Sequence, residues 1–216
     1  MPEDNTQSAE LVLPIVVRIE RETPPTRTDA LEAAARSVLL MLTTERVEWH
    51  DAVAQWDGQR IRKVVRRARG AEWRRALTVE GLDVQHGTAE LRVYPPVPVD
   101  AWPAELARLQ VGGTNLSDPE PPAPVPAAVP LVLLSPQVEM STGKAMAQVA
   151  HAAQLGWRSL RRRPRKKWQA ADFPLAVRDA VPRQWRAALD AGAPVVHDGG
   201  FTEVEPGTQT ALFVPA

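Results

Sequence analysis

Six prolines, at positions 119, 121, 122, 124, 126 and 130, crowd residues 117–130. Proline lacks a backbone N–H and fixes φ, so this stretch suits neither a helix interior nor a central strand and favours an extended conformation. It reads as a linker. The chain therefore divides into 1–116, the linker 117–130, and 131–216. Each flanking unit, at about a hundred residues, has the usual size of a domain.

The composition is that of an ordinary globular chain, 44% hydrophobic and 24% charged. Formal charge sums to zero but is unevenly spread: residues 131–216 hold eleven basic and seven acidic side chains, residues 1–116 fifteen and seventeen. The chain has no cysteine, which excludes disulfides and thiolate chemistry. Histidines 50, 86, 151 and 197 lack the close spacing of a zinc motif, so neither a metal nor a cofactor is expected. Residues 1–9 read as a disordered tail, polar and acidic and unlike a signal peptide. No apolar run approaches the roughly 18 residues of a membrane span. The expectation is a cytoplasmic protein without membrane contact.

Hydrophobic periodicity in the first unit predicts a strand at 11–19, a helix capped by Thr28 or Asp29 and running to about residue 42, and a strand at 47–53. A basic strand at 60–66, a helix at 71–79, short strands at 82–84 and 89–93 and a helix at 103–109 follow. The second unit reads as strand 131–134, helix 141–160, basic segment 161–167, strand 173–177, helix 182–190, and strands 194–197 and 209–214. Alternating strands and helices imply an α/β layer fold.

The two units resemble each other. With a shift of 112 residues, Val65, Arg66, Ala68, Trp73, Arg74, Ala76 and Leu77 meet Val177, Arg178, Ala180, Trp185, Arg186, Ala188 and Leu189. His86 then meets Asp198, and with a shift of 120 Gly87-Thr88 meets Gly207-Thr208. This pattern implies a tandem duplication whose first copy has lost its site and kept a packing role. The linker would then hold the copies together at high effective concentration.

Four features of the second unit carry candidate chemistry. Ser141-Thr142-Gly143-Lys144 opens the helix, where free N–H groups and the helix dipole favour an anion. A P-loop would need glycine at 138, where Val138 stands, and an ordinary capped helix would account for these four residues alone. Lys144, Gln148 and His151 then fall within roughly 60° of one another on the helix wheel, with Met146, Val149, Ala150, Ala153, Trp157 and Leu160 opposite. The third feature is the strand end His197-Asp198-Gly199-Gly200-Phe201-Thr202, placed where open α/β sheets bind ligands, although Asp before paired glycines is also a turn former. The fourth is a run of seven cations: Arg158, Arg161, Arg162, Arg163, Arg165, Lys166 and Lys167. It suits phosphate contact, with Trp168 available to stack on a base.

The segments 131–134 with 140–152, and 197–210, resemble the opening and closing motifs of type II peptidyl-tRNA hydrolases. The resemblance covers 131–216 and reaches 1–116 only through the internal repeat. It implies a mixed four-stranded sheet between helices (α/β/α), here present twice as a tandem pseudo-dimer. It also implies metal-independent hydrolysis of the ester joining a peptide to the 3′ ribose of tRNA. The implied catalytic residues are Lys144, His151, Asp198 and Thr202. Gln148, Gly143, Thr208, Arg161, Arg162, Arg163, Arg165, Lys166 and Lys167 would bind substrate. The partner would be peptidyl-tRNA, the first unit would stand in for the second subunit of the family's homodimer, and further pairing of whole chains stays open. Thr142, where the family often has lysine, and Gly199, where alanine is usual, depart from the pattern. The alternatives are a non-catalytic tRNA-binding protein that kept the fold, or a nucleotide-binding enzyme using the Gly-Lys turn.

Overall fold

Two runs rich in β-branched and leucine residues form the centres of two sheets. β1 (Leu11–Arg18) pairs in parallel with β2 (Arg62–Ala68) and antiparallel with β4 (Ala89–Val93). β3 (Leu82–His86) pairs antiparallel with β4, and the short β5 (Val97–Pro98) pairs with β1. In the second half β6 (Leu131–Leu134) pairs in parallel with β7 (Ala176–Asp179) and antiparallel with β9 (Gln209–Val214), which pairs antiparallel with β8 (Val195–His197). The orders are β2-β1-β4-β3 and β7-β6-β9-β8, with the same strand senses. The fold is thus mixed α/β with two mixed sheets. The computed structural model describes residues 9–216, so the expected tail at 1–9 lies, apart from Ala9, outside the described residues.

Successive strand residues face opposite ways, and here both faces are covered. Leu13, Ile15 and Val17 of β1, Val132 and Leu134 of β6, and Ala211 and Phe213 of β9 point into one shared core. That core also holds the buried faces of α1 (Arg27–Leu42) and α5 (Thr142–Ser159), which lie between the sheets. The helices are rich in alanine where they are buried, at 30, 33, 34 and 35 in α1 and at 145, 147, 150, 152 and 153 in α5. Small side chains let two helices and two sheets approach closely. On the outer face of the first sheet, Val16 packs with Trp73 of α3 (Gly70–Ala76) and Leu106 of α4 (Ala104–Ala107). On the outer face of the second, Leu133 and Leu212 pack with Trp185 of α7 (Pro182–Asp190). Each fully buried Leu, Ile or Phe contributes about 1.5–3 kcal/mol, and the largest cluster draws them from both halves.

Four expectations are corrected or refined. Residues 47–53 form a 3₁₀ turn (Val47–Trp49) leading into α2 (His50–Asp57), not a strand. Trp49, Val53 and Trp56 are buried at helical spacing, while Val47 is 75% exposed. The basic segment 161–167, to which no element was assigned, falls on and just before a helix, α6 (Arg162–Ala170), which tolerates Pro164 in its first turn, where no intrahelical N–H is needed. β7 starts at Ala176 because the chain reverses at Asp172 and Phe173, whose φ values are 62° and 54°. The cap of α1 is Thr26, whose side chain accepts from Asp29 N, rather than Thr28 or Asp29.

Residues 117–130 contain no helix or strand, yet they do not hang free. The Asp118 carboxylate accepts from Thr28 N and Oγ1 at 2.8 and 2.7 Å, and Arg178 donates to Ala123 O at 2.7 Å. Among the described residues no helix is long and apolar enough to cross a membrane.

Candidate active site

The first turn of α5 is held by three separate segments. Ser141 Oγ accepts from Lys144 N at 3.2 Å, and Glu203 accepts from Ser141 N and Oγ at 2.8 and 2.6 Å. Thr114 Oγ1, just before the linker, accepts from Gly143 N at 2.9 Å, and Leu116 N donates to Thr142 Oγ1 at 3.1 Å. Glycine is required at 143 by close approach: a Cβ there would lie 2.6 Å from Thr114 Oγ1. The expectation that the Gly143 N–H waits for an anion is therefore corrected. Gly143 lines the cleft, but its amide is already bonded within the protein.

Lys144 projects from this turn to meet Asp198 at the end of β8. Lys144 Nζ lies 2.5 Å from Asp198 Oδ2 and 3.0 Å from Thr202 Oγ1. One turn along α5, Gln148 Nε2 donates to the same Asp198 Oδ2 at 2.8 Å, and Gln148 Oε1 accepts from Thr210 Oγ1 of β9 at 2.5 Å. Gly200 N donates to Asp198 Oδ1 at 2.8 Å. The pair is largely enclosed, with side chains 11% and 5% exposed. Sequestered ion pairs of this kind are retained only with additional hydrogen bonds, which Gln148, Thr202 and Gly200 supply. Gln148 is 3% exposed, so the polar stripe on α5 faces an interior cleft rather than a solvated surface.

His151, the third member of the stripe, meets a side chain that the sequence reading did not single out. Its Nδ1 lies 3.2 Å from Lys63 Nζ, which belongs to β2 in the first half. Lys63 is buried and also donates to Ile61 O at 3.0 Å and to Gln154 Oε1 at 2.6 Å, with its amine 4.8 Å from the Trp56 ring centre. Burial first, then the cations Lys63, Lys144 and Arg158, hold the His151 pKa well below the usual imidazole value. Burial, then Arg158, likewise lowers that of Lys63 well below the ordinary lysine range, against an opposing pull from Asp57. A signal was present: Lys63 is in phase with Val65 on a strand, an inward position where a cation is unusual.

These groups line one cleft of about 620 Å³ between the halves. The second half supplies Lys144, Gln148, His151, Asp198, Thr202 and Phe201, and the first supplies Arg60, Arg62 and Lys63. The Arg62 guanidinium lies 4.9 Å from the ring centre of Phe201, which is 59% exposed at the rim. The first unit is thus part of the cleft wall and not packing alone.

Other expected site residues lie elsewhere. Thr208 is in the turn before β9, where its hydroxyl donates to Glu205 O at 2.7 Å and its carbonyl accepts from Asp198 N at 2.9 Å. It braces the Asp198 loop and does not line the cleft. Arg161, Arg162, Arg163, Arg165, Lys166 and Lys167 are on and before α6, beyond the far end of α5 from Lys144. Arg158 is engaged with Asp57 at 2.6 Å. Trp168 is not available to stack on a base: it is 6% exposed, packs on Trp157, Phe173 and Phe213, and donates to Pro174 O at 2.8 Å. Among the described residues no group of three or more His, Asp or Glu could hold a metal ion. No family model matches the chain, and no curated protein or solved structure matches it significantly.

Proposed function

We propose that the chain hydrolyses the ester between a peptide and the 3′ ribose of tRNA, and that 131–216 is its type II peptidyl-tRNA hydrolase unit. The observation that carries this reading is the meeting of Lys144, Gln148, Asp198 and Thr202, drawn from both resembling motifs, in one cleft. In this mechanism the Asp198 carboxylate takes a proton from water as the water oxygen attacks the ester carbonyl carbon. The Lys144 ammonium, already donating to Asp198 and Thr202, turns its remaining N–H toward the developing oxyanion. Collapse breaks the carbon–oxygen bond, and the proton returns to the leaving 3′ oxygen. His151 and Gln148 position the acceptor end. A cleft of about 620 Å³ suits the terminus of a tRNA and not its body. The basic face of α6, beyond the end of α5 and so about 22 Å from Lys144 by helix rise, would meet backbone phosphates further down the strand.

The first half is read as a degenerate copy acting as a built-in second subunit. Matching strand orders and senses support this, as does the pairing of Val65 with Ile15 and of Val177 with Val132. His86, aligned with Asp198, is paired instead with Glu32 at 2.8 Å.

The test is release of tRNA from a defined peptidyl-tRNA by the wild type, Lys144→Ala and Asp198→Asn. Losing an oxyanion donor lowers kcat by about 10²–10³-fold and losing an acid–base group by about 10²–10⁴-fold. Unchanged rates in both variants would remove the site. Asp198 already accepts from Lys144, Gln148 and Gly200, which favours the second reading, a tRNA-binding protein without turnover. Tight tRNA binding with no ester cleavage by the wild type would select it.

A further inference from the structure

Two of the three hydrogen bonds around Lys63 have a polarity fixed without reference to His151. Asp57 of α2 is a carboxylate and accepts from Gln154 Nε2 at 2.5 Å and from Arg158 Nη2 at 2.6 Å. With its amide nitrogen committed to Asp57, Gln154 must turn Oε1 toward Lys63, where it accepts at 2.6 Å. The Ile61 carbonyl, 3.0 Å away, can only accept. Ile61 O and Gln154 Oε1 thus take two Lys63 protons whatever its charge. Burial lowers the Lys63 pKa, while the Trp56 ring 4.8 Å away favours the ammonium. As an ammonium, Lys63 turns its third proton to His151 Nδ1 at 3.2 Å.

We infer that Lys63, supplied by the first half, is a positioning residue for His151: it holds the imidazole with Nδ1 as acceptor and leaves Nε2–H as a neutral donor to the substrate. The inference rests on the proposed hydrolase site and assigns the first half a part in it. A tautomer is set by the bond the other ring nitrogen makes. An imidazolium at 151 would face Lys63 from β2 and Lys144 and Arg158 on its own helix, in a poorly solvated site, with Asp57 already occupied by Gln154 and Arg158. The lowered pKa of His151 agrees with this arrangement. A neutral Nε2–H suits an oxygen acceptor at the 3′ end, such as the ester carbonyl or the ribose 2′ hydroxyl. Were Lys63 instead neutral and accepting, Nδ1 would carry the proton and Nε2 would face the cleft as a base.

Nitrogen-15 NMR of the histidine-labelled full chain, with His151→Gln for assignment, decides between these states. Expected is a His151 ring protonated at Nε2 that does not titrate between about pH 5 and 8, where ordinary imidazoles do. In Lys63→Met the ring should become a tautomer mixture and titrate within that window. For peptidyl-tRNA hydrolysis the variant should raise KM about tenfold with kcat little changed, the pattern of a lost uniform contact. A wild-type ring protonated at Nδ1, or a normal titration midpoint, would overturn the inference, as would an unaltered tautomer and titration in Lys63→Met. The wild-type spectrum decides even if that variant fails to fold. Absence of ester cleavage beside an intact Nε2–H tautomer would sink the hydrolase reading and leave the Lys63–His151 pairing standing.

Discussion

A Cβ placed on Gly156 of α5 would lie 2.3 Å from Cγ of Phe213, inside the shared core. Gly156→Ala should therefore destabilise by about 1–3 kcal/mol, the usual cost of overpacking, against a gain in helix propensity of about 1 kcal/mol. The urea midpoint should fall with the slope unchanged; a rise would mean that Phe213 has room to move. His86 offers a pH-dependent test. Its hydrogen bond to Glu32, opposed by burial, raises its folded pKa. Burial pushes the Glu32 carboxyl up, but bonds from His86, Val177 N and Arg178 outweigh this and hold it below its usual value. A proton on His86 thus favours the folded state. That advantage is complete below the unfolded value of about 6.5 and fades as pH climbs through the raised folded value. The stability gap between wild type and His86→Gln should narrow from pH 5.5 to 8.5 by denaturant unfolding; a constant gap would contradict the pairing. At this scale the sequence was legible where chemistry is local. Lys144, Gln148 and Asp198 came from motifs, whereas the burial of Trp168 depends on Phe173 and Phe213, which its own neighbours do not announce.

Beside its own cap at Ser141, helix α5 takes a second bond to its first turn from outside its segment. Thr114 is 1% exposed and bonds Gly143 N, so Thr114→Val should cost about 1–3 kcal/mol, the penalty of an unsatisfied buried donor. Thermal unfolding reads this directly, and an unchanged midpoint would mean that water replaces the hydroxyl. Helix α6 is the element proposed for phosphate contact. Each such contact contributes about 0.7–0.9 to the slope of log affinity against log salt. Arg162→Gln, Arg163→Gln and Lys166→Gln together should reduce that slope for tRNA by about 2–3, while cleavage of a short 3′-terminal fragment ester stays near wild type. An unaltered slope would remove α6 from the interface. Elements were readable where the hydrophobic pattern was unbroken or a proline opened the first turn: the helix at Pro182–Asp190 and the strand at Gln209–Val214 fall at their expected bounds. The turn at Val47–Trp49 and α2 were misread because β-branched Val47 and Val53 suggested a strand, while the deciding interval was that of Trp49, Val53 and Trp56.

At the scale of the molecule, α1 and α5 are buried against each other and both sheets, so neither half closes its core alone. Residues 117–216 expressed alone should not persist as a fully active monomer. Gel filtration and the tRNA-release assay check this, and a soluble, monomeric, fully active fragment would end the pseudo-subunit proposal. The break in regular structure at 117–130 was legible because prolines announce it. The composite cleft was not, since its walls come from β2 and α5, which no local pattern relates. The shared cleft also bears on symmetry. In a dimer of identical subunits every substitution is made twice, so a lysine suited to one wall is forced on the other. Under the proposed duplication, the counterpart of Lys63 is Leu175, a buried apolar residue. Covalent joining releases the two positions from that bond, letting one gene install an amine beside a single imidazole while the mirror position keeps its hydrocarbon.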